Sequence, residues 1–114
     1  MKVFISGPMK GYPNFNKEAF DQAEKELVQQ GYTVFNPAWM DFSGEWSKQD
    51  KHAIDMAIMS RCDAIYQLPG WYNLENGGSR AEYAFAVASG MIFLEKDAKG
   101  FFFVINKEAV ENNG

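Results

Sequence analysis

Four short apolar runs, separated by stretches with helical periodicity, constrain this chain more than any other feature. KVFIS (2–6), YTVFN (32–36), DAIYQL (63–68) and MIFLE (91–95) each have the length and apolar content of a buried strand. Between the first two, Phe20, Ala23, Leu27 and Val28 form one helical stripe that Gly31 ends, with Asn16 placed to cap it and Phe15 and Phe20 spaced as a hydrophobic staple. Ser47 and Asp50 have capping-box spacing before a helix over about 48–60, for which Ala53, Ile54, Ala57 and Ile58 supply the apolar face. SRAEYAFAVAS (79–89) is a third helix, stopped by Gly90. The alternation β-α-β-α-β-α-β predicts an α/β, Rossmann-like or flavodoxin-like doubly wound sheet, mainly parallel, in three layers with strand order 2-1-3-4. A fifth apolar run, FFFVI (101–105), follows the turn KDAKG, which is too short for a crossover. It is therefore expected at an edge, antiparallel to the fourth strand.

With 114 residues, the chain is expected to form a single domain over 1–114. Its net charge of −4 argues against a nucleic acid polymer as partner, because that backbone calls for clustered Lys and Arg. One cysteine, Cys62, excludes an internal disulfide and a thiolate metal centre, and no metal or cofactor is expected. The apolar start is too short for a signal peptide or a span, so the expected location is the cytoplasm, with no membrane partner.

Ligands of such sheets bind at the C-terminal ends of the strands. Loops 7–16, 36–46 and 69–78 all follow strands and share that rim. SGPMKG (6–11) offers glycines, backbone N–H groups and Lys10, either as a cradle for a phosphate or sugar hydroxyl or as a plain strand-to-helix turn. Asp55 lies at the edge of its helix's apolar stripe, with His52 on the same face; it belongs either to a solvated flank or to the rim. Ser79 and Glu82 have capping-box spacing, S-x-x-E, and capping explains Glu82 if it stands alone. The surrounding helix is nearly all small or apolar, however, and a carboxylate in an apolar cleft is positioned to react. Trp39, Trp46, Trp71 and Tyr72 fall on rim loops, to stack on a planar base or to close a core or an interface.

Taken together, FISGPMKG, HAIDMAIMSRCDAIY and NGGSRAEYAFAVASGMIFLE resemble the nucleoside 2-deoxyribosyltransferase superfamily over roughly residues 3–95. The nearest branch is that of small phage and prophage proteins, related to the 2′-deoxynucleoside 5′-monophosphate N-hydrolases. The resemblance implies Glu82 as nucleophile, between the matching Gly78 and Ala86, and Asp55 as acid or orienter at the leaving base. It implies Gly7, Lys10, Tyr12, Asn76, Gly78 and Ser79 around the substrate, Asn76 standing where the hydrolases place a phosphate-binding serine. Phe4 occupies the position of a family Tyr that hydrogen-bonds the nucleophile, and Tyr12 is the nearest substitute in the loop. The implied activity is N-glycosidic cleavage or deoxyribosyl transfer on a nucleoside or nucleoside 5′-monophosphate. The alternative is a catalytically silent protein of the same fold that sequesters a nucleotide. A homodimer is expected from the loop aromatics and the family habit of completing the pocket across subunits.

Overall fold

The computed structural model describes residues 1–40, 44–73 and 77–105. β1 spans Lys2–Ser6, α1 Lys17–Gln29, β2 Thr33–Phe35, α2 Lys48–Met59, β3 Ala64–Gln67, α3 Gly77–Ala88, β4 Ile92–Lys96 and β5 Phe102–Val104. The strands form one sheet in the order β2-β1-β3-β4-β5. The first four are mutually parallel and β5 runs antiparallel to β4, as the short KDAKG turn requires. The α/β doubly wound architecture expected from the alternation is therefore the one observed. Among the described residues no helix is long and apolar enough to cross a membrane.

Strand periodicity sorts the core into two layers. Val3, Ile5, Ala64, Tyr66 and Leu94 point to the face covered by α1, through Phe20, Ala23 and Leu27. Phe4, Ile65 and Phe93 point to the opposite face, where Met59 of α2 and Ala86 of α3 close over them. Phe4 is fully buried and stacks on Phe35 at 5.7 Å.

Three local details differ from the sequence expectations. Val28 is 54% exposed, so the α1 stripe ends at Leu27. The hydrophobic staple does not form: Asn14, Phe15 and Asn16 all have positive φ, a left-handed turn that leaves Phe15 70% exposed. Asn16 caps nothing; its Nδ2 donates to the Pro8 carbonyl instead and ties the first loop to the start of α1. L-residues pay about 1–2 kcal/mol each for that conformation, which Asn tolerates best.

The third difference concerns α2. Its capping box forms as expected, with Ser47 and Asp50 exchanging side-chain and backbone bonds. The buried residues, however, are Asp55 and Met59, while Ala53 and Ala57 are exposed and Ile54 and Ile58 only half-buried. The helix is thus turned by about half a turn from the orientation its apolar stripe suggests. Met59 and Met56 pack on Phe4 and Ile65, and that rotation carries Asp55 inward with them.

Candidate functional site

A cavity of about 560 Å³ opens at the C-terminal ends of β1 and β2. Loop residues Gly7, Met9 and Lys10, the first two turns of α2 and the first turns of α3 form its walls. Its size falls within the range of small-molecule sites, about 300–1,000 Å³. Asn36 shapes one wall: buried after β2, it donates to Asp21 Oδ1 and Glu24 Oε1 and accepts from the Ala38 N–H, which seats the lining residue Pro37.

Glu82 and Asp55 meet at the floor. Glu82 belongs to the inward stripe of α3, with Ser79 and Ala86 at the i−3 and i+4 positions. It is 7% exposed and accepts a 2.6 Å hydrogen bond from Ser6 Oγ at the end of β1. It is not a cap. α3 begins at Gly77, two residues ahead of Ser79, and Ser79 Oγ donates to the Trp71 carbonyl, fastening the preceding loop. Burial chiefly pushes the Glu82 carboxyl up to about 8; the Ser6 hydrogen bond works against that rise, and the neighbouring Asp55 adds to it. The Asp55 carboxyl is also raised, first by burial, with Glu82, Lys51 and His52 opposing the rise. The pair thus retains a shared proton near neutral pH, as two buried carboxyls side by side must. Asp55 Oδ1 is buried with no hydrogen-bond partner among the described residues, in a residue that lines the cavity.

Gly7, Lys10, Gly78 and Ser79 line the same cavity. Gly7 also has a packing reason to be glycine, because a Cβ there would lie 2.7 Å from Leu68 Cβ. At Gly77 and Gly78 a Cβ would meet no described atom within 4 Å, so these glycines keep wall space open rather than relieve a clash. Tyr12 is not among the described lining residues; its hydroxyl sits against Gly70, which has no room for a Cβ beside it. Asn76 lies outside the described residues. The rim aromatics stay apart from the floor: Trp71 stacks on Tyr83 at 4.5 Å, while Trp39, Trp46 and Tyr72 are exposed.

Sequence reasoning missed Ser6. The signal was available: Ser6 is two residues after Phe4, hence on the same sheet face, and it is the last residue of its strand. The hydroxyl that reaches Glu82 comes from Ser6, not from the Phe4 position or from Tyr12. Gln67, paired in register with Ser6, was also missed; its Nε2 is buried with no partner among the described residues. Lys48, Lys51 and His52 complete the set, on one face of α2 toward the cavity.

Fold and site together define an α/β domain with a carboxyl pair in a pocket at the strand ends. The chain belongs to the DUF4406 family, described as a domain of unknown function, whose model matches residues 1–94. No curated protein matches it.

Proposed function

We propose that the protein cleaves the N-glycosidic bond of a (deoxy)nucleoside or nucleoside 5′-monophosphate, passing the sugar to water or to a second base through Glu82. The observation that carries this reading is the pair of buried carboxyls, one from α2 and one from α3, facing a single cavity. Departure of a base leaves an oxocarbenium-like sugar, which a carboxylate stabilises or captures, while the base needs a proton. The proton that the pair holds serves that need. It passes to Asp55 and on to the base nitrogen as the C1′–N bond breaks and its electron pair leaves with the base. The ionised Glu82 then bonds C1′. Attack at C1′ by water or an acceptor base releases the sugar, returns Glu82 to its carboxylate and gives a proton back to Asp55. Ser6 holds Glu82 Oε1 by its hydroxyl and leaves the other oxygen for the sugar.

The resemblance to the deoxyribosyltransferase superfamily supports the same assignment, with the protein working in the cytoplasm. A homodimer fits the large aromatic side chains left exposed on the rim loops, Trp39, Trp46 and Tyr72. Phe4 in place of the family Tyr favours one second reading, a pocket that holds a nucleotide without turnover. Incubation with each deoxynucleoside and its 5′-monophosphate, with free base followed by chromatography, separates the two. Release of base from one of them supports cleavage; binding without release over hours supports sequestration.

A further inference from the structure

The cavity wall opposite Glu82 is cationic. Lys48, Lys51 and His52 occupy i, i+3 and i+4 positions of α2, and Lys10 reaches the same space from the β1 loop. Asp55 is one turn further along that face of α2. Lys51 is engaged, its Nζ 3.3 Å from Met9 Sδ and its charge acting on both carboxyls. Lys10 and Lys48 are exposed, and neither forms an ion pair with a described residue. Among the described residues, the acidic groups lining the cavity are Glu82 and Asp55, which share a proton at its floor. Three lysines thus line one pocket of a chain whose net charge is −4. A cleft with low-dielectric walls focuses such a field on its ligand. The pocket is polarised from end to end: a carboxyl pair at the floor, and a lysine-lined mouth that a neutral nucleoside leaves without counter-charge.

We infer that the ligand is a nucleoside polyphosphate, its phosphate chain lying along Lys10, Lys48 and Lys51 while its sugar rests on the carboxyl pair. The sugar end rests on the proposed function; the phosphate end rests on the lysine wall alone. One phosphate answers one or two of these cations, whereas a di- or triphosphate carries negative charge enough for all three.

The test is equilibrium binding to the full chain, read by tryptophan fluorescence or calorimetry. Each of the four common bases is tried as deoxynucleoside, 5′-mono-, di- and triphosphate, with inorganic tripolyphosphate as control. Affinity is expected to rise with each phosphate. Lys48→Gln and Lys10→Gln should each weaken the triphosphate by about fivefold and leave the nucleoside unchanged. Raising salt should weaken the triphosphate most. Equal affinity for nucleoside and triphosphate, insensitivity to both lysine changes, binding of none of the compounds, or binding of tripolyphosphate as tight as that of any nucleotide would overturn the inference. Free base measured in the same samples separates the two claims. Phosphate-dependent binding without base release keeps the polyphosphate ligand and removes the glycosidic chemistry; base release without phosphate preference does the reverse.

Discussion

Replacing Glu82 by Gln keeps the size of the side chain and an acceptor for Ser6, but removes the ionisable proton. The consequence can be worked from burial. The carboxyl is raised from 4.5 to about 8 in the folded protein, so the native state holds a proton that the unfolded chain has released. That stabilisation is fully present below about pH 4.5 and is lost as the pH rises through about 8. The gap of about 3.5 corresponds to a ceiling of about 5 kcal/mol, at about 1.4 kcal/mol per pH unit. Between about pH 6 and pH 9 the native protein should forfeit about 3 kcal/mol of it, equivalent to roughly 10 °C in Tm for a domain of this size. The Gln variant has no such loss. Wild type and Glu82→Gln should therefore have diverging urea midpoints across that range, the variant gaining relative stability as the pH rises. All other titrating groups are common to both proteins, so the difference isolates Glu82 and its coupling to Asp55. Parallel curves from pH 6 to 9 would refute the buried, protonated carboxyl and the proton-sharing mechanism with it.

Other substitutions probe the remaining parts of the site. Ser6→Ala removes the 2.6 Å bond to Glu82 and should cost about 1–3 kcal/mol in urea unfolding. It should also move the Glu82 titration upward, seen by NMR of its carboxyl carbon, because that bond favours the ionised form. Gly7→Ala forces a Cβ against Leu68 and should destabilise by about 1–3 kcal/mol, a packing effect measurable without any ligand. Gly78→Ala meets no described atom and should change unfolding by less than about 1 kcal/mol while weakening nucleotide binding in calorimetry. Trp46→Glu on the exposed rim should convert a dimer to a monomer by light scattering and leave the fold intact by circular dichroism.

The sheet was legible because its information is local and redundant. Each strand is an apolar run of the right length, and the five-residue turn before β5 leaves one geometry for the edge. The helices were harder to orient. In α2 the apolar stripe Ala53, Ile54, Ala57 and Ile58 suggested one inward face, yet the core took Met59 and, with it, Asp55. Periodicity finds a stripe but does not say which of two apolar faces meets the sheet. Glu82 and Asp55 could be singled out from their residue types and from the resemblance, but the partner that holds Glu82 could not. The S-x-x-E spacing pointed to Ser79, whereas the donor is Ser6, 76 positions away, brought close where the first turns of α3 pack over the C-terminal end of β1. The lysine wall was hidden for the same reason: Lys10 and Lys48 converge only once the first loop and the start of α2 share a rim.

The central claim is that Glu82 forms a covalent bond to the sugar. Acid-quenched mixtures of the protein with its nucleotide substrate, examined by intact mass and peptide mapping, test it most directly. The account predicts an added mass equal to the sugar part of the substrate, located on the peptide that carries Glu82. It also predicts no adduct and no base release in Glu82→Gln, with ligand binding retained. Base released at the wild-type rate by Glu82→Gln would contradict it.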